Sequence, residues 1–368
     1  MKTQDRDMTA DVAAAYEQHF GRAPELTTYA PGRVNLLGEH TDYNGGYVLP
    51  MPLKGLGVSI AVGRGPAPGV VEAYSDTFNA SETRKITDGK EGRWSDYVLG
   101  CLKAVAQEEI AETGLRVTLI TTLPMGAGLS SSAALEVASI RAASELFGKP
   151  ISPVEIAVKA RAVENGFVGM PCGIMDQFAS SVGTPGNALF LNTRTLDYQP
   201  AHLPDGHSFV IVHSGVSHQL TEDGYATRVA ECNAACEALG VEMLSDLGPG
   251  DLDRLSGIPG LLARRTRHVI TDNQRVLDGL DALKAEDMIL FGELMNASHA
   301  SQRDDYEITV PETDALVEAA LKAGAIGARQ TGGGFGGSIV VLVPDTAVET
   351  VGQALVDSFS KARVLAVT

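Results

Sequence analysis

The amino-acid sequence predicts a two-domain α+β protein, and three observations lead to this fold class. The chain has 368 residues, whereas a typical domain has roughly 100–200. Hydrophobic residues make up 44% of the chain and charged residues 20%, which is typical of a folded globular protein. Segments with helical spacing and segments with strand-like alternation occur in both halves without an internal repeat, which favours mixed sheets and helices in each domain.

The first half is predicted to contain five helices and four strands. Short β-branched or alternating segments predict strands at residues 27–30, 47–52, 57–62 and 115–123. Apolar residues at helical spacing predict helices at residues 11–20, 94–110, 131–146, 153–164 and 175–181. The composition then changes at residues 183–187, GTPGN, which are turn-forming residues. We therefore predict domains at residues 1–183 and 184–368.

The second half repeats the mixture of helices and strands. Strands are predicted at residues 209–213 and 338–343. Helices are predicted at residues 226–239, 265–285, 288–300 and 312–323.

The net charge narrows the possible partners. The chain has 46 Asp and Glu residues against 29 Lys and Arg, a formal charge of −17, and such a surface repels nucleic-acid phosphates and anionic lipids. We therefore expect small-molecule substrates, no nucleic-acid partner, no membrane partner and a monomer. The N-terminal residues have no continuous apolar run, which predicts a cytoplasmic protein. The four cysteines and eight histidines follow neither a disulfide nor a zinc-site spacing.

A glycine- and serine-rich segment, PMGAGLSSS at residues 124–132, lies between a predicted strand and a predicted helix. There the N–H groups of the first helical turn and three hydroxyls converge, which suits a phosphate. The segment lacks the Lys of a Walker A loop, and Ser131 stands where a dinucleotide fingerprint needs its third glycine. The alternative is a purely structural helix cap, because Ser is a favoured N-cap residue.

A second glycine-rich segment, GGGFGG at residues 332–337, formally contains G-x-G-x-x-G. A dinucleotide fold needs that motif after a strand and before a helix, whereas here a predicted helix precedes it and the predicted strand 338–343 follows it. We therefore reject dinucleotide binding. The glycine density still indicates a backbone that packs against a ligand or another loop.

A polar segment, PGRVNLLGEHTDYNGG at residues 31–46, combines an Arg, two carboxylates, a His and two Asn residues. Carboxylates accept hydrogen bonds from vicinal hydroxyls, so this density of polar groups favours a polyhydroxylated ligand. A solvated acidic turn is the alternative, but it does not account for Leu36, Leu37 and the glycines among the polar groups.

These segments resemble those of a known family. PGRVNLLGEHTDYNGGYVLP resembles the galactokinase signature, LPMGAGLSSSAALEVA the ATP-binding motif of the GHMP kinase superfamily, and GGGFGG its third motif. The likeness extends through CGIMDQF at residues 172–178. It implies a two-domain GHMP kinase fold with the active site in the cleft between the domains. It also implies ATP-dependent phosphorylation of galactose at C1, the first committed step of the Leloir pathway.

The resemblance also implies roles for individual residues. It implies a catalytic carboxylate at Asp176 and a transition-state-stabilising arginine at Arg33. It implies Mg²⁺ as the cofactor, held by Ser132 and Glu164. The implied sugar-binding residues are Glu39, His40, Thr41, Asp42, Gly173 and Tyr225. The implied ATP-binding residues are Ser75, Gly126, Ala127, Gly128, Leu129, Ser130, Ser131 and Ser132.

General chemistry agrees with those implied roles. Phosphoryl transfer has a loose transition state, so the protein mainly aligns donor and acceptor and neutralises charge. Asp176 next to the anomeric hydroxyl would accept its proton, and Arg33 would orient that carboxylate and stabilise the phosphoryl group. Mg²⁺ prefers hard oxygen ligands such as a hydroxyl and a carboxylate.

Two alternatives stay open at this point. One is another GHMP kinase, for mevalonate, homoserine or N-acetylgalactosamine, of which the last is the hardest to separate because one pocket wall decides whether an acetamido group fits at C2. The other is a catalytically silent galactokinase-like sensor that binds sugar and ATP and then a regulatory protein. Such sensors resemble galactokinases but lack residues in the Ser-Ala stretch, which here runs uninterrupted from Ser130 to Ala134 and favours the enzyme.

Overall fold

A computed structural model describes residues 8–65, 67–216 and 222–368. The helices of this part of the chain are α1 (Met8–Phe20), α2 (Ser95–Thr113), α3 (Ser131–Leu146), α4 (Pro153–Val163), α5 (Met175–Val182), α6 (Glu222–Leu239), α7 (Gly260–Lys284), α8 (Met288–Ser301), α9 (Pro311–Lys322) and α10 (Val348–Ser358). The strands are β1 (Leu26–Asn35), β2 (Tyr47–Val48), β3 (Pro50–Arg64), β4 (Val70–Ser75), β5 (Ala80–Lys85), β6 (Leu115–Thr121), β7 (Ala188–Asn192), β8 (Tyr198–Ala201), β9 (His207–His213), β10 (Gly327–Thr331), β11 (Ser338–Pro344) and β12 (Arg363–Val367). None of the helices in these ranges is long and apolar enough to cross a membrane.

The first half of the chain builds a five-stranded sheet in the order β1-β3-β6-β4-β5. Successive side chains of β3 point to opposite faces of the sheet. On one face, Ile60 and Val62 join the main core with α3. On the other face, Ala61 packs against Val12 and Tyr16 of α1. Strands β1 and β6 both run antiparallel to β3. Their C-terminal ends therefore lie at the same edge, which brings the polar segment 31–46 next to the glycine-rich segment 124–132.

The second half builds a four-stranded antiparallel sheet in the order β10-β11-β9-β12. On β9, Val210 and Val212 pack in a cluster with α9 and α10, whereas Phe209 and Ile211 face the opposite way and join the main core with α7 and α8. That main core also contains the first sheet and α3. The two sheets are therefore connected by continuous apolar packing.

A small three-stranded sheet, in the order β2-β7-β8, lies across the predicted domain boundary. The boundary at residues 183 and 184 falls between α5 and β7. Strand β7 pairs antiparallel with β2, as Tyr47 with Asn192 and Val48 with Leu191. Strands β7 and β8 thus pair with a strand of the first half, and the boundary stays a prediction.

The structure confirms the mixed α+β class and the predicted elements, with bounds that differ by a few residues. Helix α3 has its predicted bounds, whereas the predicted strand 47–52 is interrupted at Leu49 between β2 and β3. The sequence analysis missed seven elements, which are β4, β5, β7, β8, β10, α10 and β12. Most of these strands are short, and β5 is a polar strand, ASETRK, whose buried residue is Arg84, so their apolar pattern is weak.

The prediction that a helix directly precedes residues 332–337 is wrong. Strand β10 lies between α9 and this loop, and it pairs antiparallel with β11 on the other side. The sequence of β10, GARQT, contains polar residues that are buried through hydrogen bonds, so it lacks the apolar alternation of a strand. The loop therefore joins two strands, and the order needed for a dinucleotide fingerprint is still absent.

Candidate active site

A cavity of about 130 Å³ lies where the ends of the two larger sheets meet. Its wall contains residues that are distant in sequence and that include most of the predicted catalytic and sugar-binding residues. The predicted residues on this wall are Arg33, Glu39, His40, Asp42, Glu164, Gly173, Asp176 and Tyr225. The polar segment 31–46, the start of α5 and the beginning of α6 thus converge on one point.

Arg33 and Asp176 form the central ion pair of this cavity. Nε and Nη2 of Arg33 donate to the two carboxylate oxygens of Asp176, each at 2.9 Å. Strand β1 has a bulge between Pro31 and Arg33, which turns Arg33 toward this pair. Since Arg33 is only 3% exposed, the guanidinium has a fixed position and direction.

The glycine-rich segment contacts the same pair. Nη1 of Arg33 donates to the carbonyl of Gly128 at 2.8 Å, and the Ser130 hydroxyl donates to Asp176 at 2.5 Å. Ser130 precedes α3 with a left-handed φ of 61° and makes no side-chain cap on the helix. The structural-cap alternative therefore does not describe Ser130, whose hydroxyl is used on the site carboxylate.

Glu39 is held by the second half of the chain. Its Oε2 accepts from Nη2 of Arg329 at 2.7 Å and from the N–H of Gly332 at 3.1 Å. Burial raises the pKa of Glu39 to about 7, although Arg329 and Arg33 act in the opposite direction. Strand β10 and the loop that follows it thus fix one oxygen of a carboxylate that lines the cavity.

Asp42 is a second carboxylate on the wall, and it is partly buried. It accepts from the N–H groups of Tyr43 at 3.0 Å and Met175 at 3.3 Å. Burial raises the pKa of Asp42 to about 6, and the neighbouring Asp176 raises it further. Gly173 packs directly against it, since a Cβ added at Gly173 would lie 1.9 Å from Oδ2 of Asp42.

The substitution Gly173→Ala is expected to raise the KM for the substrate that Asp42 is predicted to bind about tenfold or more, because displacing Asp42 removes a charged hydrogen-bond acceptor. The change in kcat should be smaller, since Asp176 is not displaced. Steady-state kinetics measure both constants. Gly250→Ala is the matched control, because an added Cβ there meets nothing within 4 Å, and an unchanged KM in Gly173→Ala would contradict the prediction.

Other predicted sugar-binding residues have different surroundings. His40 uses both ring nitrogens on protein groups, with Nδ1 at 2.8 Å from the Tyr43 hydroxyl and Nε2 at 3.2 Å from the Gly333 carbonyl. The Thr41 hydroxyl donates to the carbonyls of Gly38 and Tyr47. The structure therefore does not bring the Thr41 side chain to the cavity wall. A sugar hydroxyl at either nitrogen of His40 would replace a protein partner.

Ser132 and Glu164 lie together, and the Ser132 hydroxyl acts to lower the pKa of the Glu164 carboxyl against the effect of burial. A third group, Glu136, was missed by sequence reasoning. The amide of Gln177 donates to both Glu136 and Glu164, while Oε1 of Glu136 is buried without a hydrogen-bond partner in the described structure. Burial raises the pKa of Glu164 to about 7 and that of Glu136 well above its usual range. Two buried carboxylates beside a hydroxyl, with one oxygen unpaired, fit a hard divalent cation.

A second, largely apolar cleft of about 220 Å³ lies beside the glycine-rich segment. Gly126, Ser131 and Ser132 line it from one side. The other lining side chains include Phe78, Trp94, Tyr97, Met125 and Leu135, none of which was predicted. Ser75 is not on this wall; it is fully buried, and its hydroxyl accepts from the N–H of Phe78 at 3.3 Å.

Helix α7 supports the polar segment 31–46 and the start of β2 in a way that sequence reasoning also missed. Oδ2 of Asp272 accepts from the N–H groups of Gly38 at 3.1 Å and Glu39 at 2.9 Å. Oδ1 of the next residue, Asn273, accepts from the N–H of Tyr47 at 2.9 Å. Helical spacing predicts that α7 is a helix, but it does not indicate which polar residues face another segment's backbone.

Comparison with known proteins agrees with this geometry. Three family models match the chain: "Galactokinase galactose-binding signature" at residues 14–64, "GHMP kinases N terminal domain" at 96–184 and "GHMP kinases C terminal" at 280–361. The galactokinase of Glaesserella parasuis serovar 5 is 41% identical over 355 residues, which are 94% of this chain and 92% of that protein.

Solved structures give the same result. The galactokinase of Lactococcus lactis, complexed with galactose, is 32% identical and has a TM-score of 0.88, covering 97% of this chain and 96% of its own. The mevalonate kinase of Methanococcus jannaschii, at 19% identity and a TM-score of 0.66 over 93% of this chain and 96% of its own, shares the fold. Fold and site together define a GHMP kinase. Within that class, the chain belongs to the galactokinase family.

Proposed function

We propose that this chain transfers the γ-phosphoryl group of ATP to the C1 hydroxyl of D-galactose, giving galactose 1-phosphate and ADP. This reaction is the first committed step of galactose catabolism. One observation carries the proposal: the Asp176 carboxylate is bound at 2.9 Å by Arg33 of the polar segment 31–46 and at 2.5 Å by Ser130 of the glycine-rich segment. It therefore stands between a cavity with carboxylate walls and a loop suited to phosphates.

The cavity supports a sugar as acceptor. Glu39 and Asp42 are acceptor groups for vicinal hydroxyls, and Tyr225 and Gly173 complete the wall. Because Glu39 is buried and Asp42 is partly buried, leaving these carboxylates unpaired is costly, and a ligand with matching hydroxyls is favoured over one without them.

The chemical step assigns separate roles to Asp176 and Arg33. As the bond between the C1 oxygen and the γ-phosphorus forms and the bond to the β-phosphate oxygen breaks, the proton of the C1 hydroxyl passes to the Asp176 carboxylate. Arg33 holds that carboxylate by two hydrogen bonds and places positive charge beside the transferred group. Since the guanidinium is fixed before substrate binds, little reorganisation is needed at the moment of transfer.

Mg²⁺ is the cofactor that we propose for this site. Ser132 and Glu164 would hold it, with Glu136 close by, and the phosphates of ATP would supply further oxygen ligands. When bound, the ion neutralises phosphate charge during transfer.

The apolar cleft beside the glycine-rich segment is the proposed site of the nucleotide base. Phe78, Trp94 and Tyr97 present aromatic surface there, which suits a flat heterocycle. Residues 126–132 then lie between the base and Asp176, where the triphosphate would be. The nucleotide contact of Ser75, the monomeric state and the cytoplasmic location stay predictions.

The decisive experiment measures ADP release by the purified protein with MgATP and one acceptor at a time. The panel is galactose, glucose, N-acetylgalactosamine, mevalonate and homoserine. We expect turnover with galactose and little with the others. The proton-coupled ³¹P NMR spectrum of the product should show coupling to the anomeric proton, which identifies C1 as the site of transfer.

Each other outcome has a definite meaning. Faster turnover with N-acetylgalactosamine would keep the mechanism and contradict the proposed substrate. Binding of galactose and ATP by calorimetry without ADP release would contradict the enzyme and favour the sensor.

A further inference from the structure

A series of hydrogen-bonded side chains leads from the cavity wall into the second half of the protein. It starts at His40, whose Nδ1 is 2.8 Å from the Tyr43 hydroxyl. The Tyr43 hydroxyl is 2.7 Å from that of Tyr306, which in turn is 3.1 Å from Sγ of Cys232. Tyr306 is fully buried and Cys232 is 1% exposed, so this series of hydrogen bonds ends inside the protein.

The position of the proton on the His40 ring sets the direction of every hydrogen bond in this series. Nε2 of His40 lies 3.2 Å from the carbonyl of Gly333, which can only accept, so Nε2 carries a proton. Burial, with the nearby His268, lowers the pKa of His40 to about 3, so the ring is neutral and its Nδ1 accepts. The groups that face the ring are Tyr43, Tyr225, Tyr306, His268, Arg228 and Arg329.

The remaining bonds then have one arrangement. Tyr43 donates its single proton to Nδ1 of His40, so its oxygen accepts from Tyr306. Tyr306 has thereby used its own proton, and its oxygen accepts from the thiol of Cys232.

The backbone of His40 indicates why such a series of hydrogen bonds is needed. His40 has φ of 59°, a left-handed conformation that is uncommon for residues other than glycine. Its side chain links the polar segment 31–46 to the loop after β10 through Gly333, which also lines the cavity. The side-chain hydrogen bonds therefore hold both a strained residue and two walls of the same cavity.

We propose that Tyr43 and Tyr306 are positioning residues for sugar binding: the Gly333 carbonyl sets the His40 tautomer with its proton on Nε2, and the Tyr43 hydroxyl, oriented by Tyr306, donates to Nδ1 and so holds the ring in place between the loop at Gly333 and the polar segment 31–46. The inference rests on the proposed function for the identity of the sugar. The tautomer of His40 does not depend on it.

The test uses full-length protein labelled with ¹⁵N-histidine, in which long-range ¹H–¹⁵N spectra report the tautomer of each ring. The His40 signals are assigned by their loss in His40→Gln. We expect the wild-type ring to carry its proton on Nε2. In Tyr43→Phe the Nδ1 resonance should shift because its donor is gone, and the KM for galactose should rise about tenfold with kcat within about threefold.

Two further variants keep the test decisive. Tyr306→Phe leaves the contact between Tyr43 and His40 in place, so it should raise the KM by a smaller factor and shift Nδ1 in the same direction. It is also the second variant if Tyr43→Phe does not fold. Tyr16→Phe is the matched control, because Tyr16 is fully buried and its hydroxyl has no hydrogen-bond partner in the described structure.

Any of three results would overturn the proposal: a wild-type His40 with its proton on Nδ1, a Tyr43→Phe protein with unchanged KM, or an equal rise of KM in Tyr16→Phe. Failure of the proposed function would be seen separately, as a wild-type protein that does not turn over galactose while the His40 spectrum is still readable.

Discussion

Replacing Asp176 by Asn is expected to lower kcat with galactose by about 10³-fold, within the range that a positioned proton acceptor contributes, while the Kd for galactose stays within about threefold. The amide keeps the shape of the carboxylate but cannot take the C1 proton. It also turns an N–H₂ group toward the donors of Arg33 and Ser130, which both bind this carboxylate. The proposed sugar contacts of Glu39 and Asp42 are left in place, so binding is affected little.

A charge-neutralising control separates this effect from the general loss of an ion pair. Glu72→Gln removes the ion pair between Nε of Arg116 and Glu72, whose atoms are 2.8 Å apart. The Glu72 side chain is 30% exposed, against 31% for Asp176. Glu72 lines neither cavity, so its variant should keep normal kcat. Rapid-quench measurement of a single turnover reports the chemical step directly. An Asp176→Asn protein with near-normal turnover would show that the carboxylate is not the proton acceptor.

The fold could be predicted from the sequence where one face of an element is apolar. Helix α3 was predicted with its bounds because its small apolar residues repeat at helical spacing. Strand β10 was missed because Arg329 and Gln330 are buried by hydrogen bonds rather than by apolar packing: Arg329 by Glu39, and Gln330 by the carbonyl of Ile308 at 2.9 Å. A buried polar strand has no hydrophobic period to detect.

Some residues of the site were likewise indicated by the sequence, and others were not. Arg33, Glu39, Asp42 and Asp176 could be found because their segments are dense in polar groups and resemble a known family, and the structure brings them together. Asp272 could not be found, because its pairing depends on the packing of α7 against another segment and one sequence contains no signal for that distance in space. Glu136 did have a signal that was not used: it lies in the quoted motif, four residues after Ser132 on the same predicted helix, and residues at that spacing share one helix face.

Replacing Arg33 by Lys should lower kcat by about 10²–10³-fold, comparable with the loss of one preorganised donor from an active site, even though the positive charge is kept. Arg33 makes three directed hydrogen bonds, two to Asp176 and one to the Gly128 carbonyl at 2.8 Å. A single ammonium group cannot reproduce this planar fork. Arg141→Lys is the matched control, since Arg141 also donates to a carbonyl, that of Tyr29 at 2.6 Å, but lines neither cavity.

The double variant decides whether Arg33 acts through Asp176 or independently of it. If the main task of Arg33 is to hold and orient the carboxylate, the combined variant Arg33→Lys, Asp176→Asn should be no more than about threefold slower than the slower single variant, because residues that act as a unit have non-additive effects. If the two losses multiply instead, Arg33 stabilises the transferred phosphoryl group by itself. Wild-type kcat in Arg33→Lys would contradict the need for the fork, because it would show that a positive charge without the directed hydrogen bonds is sufficient.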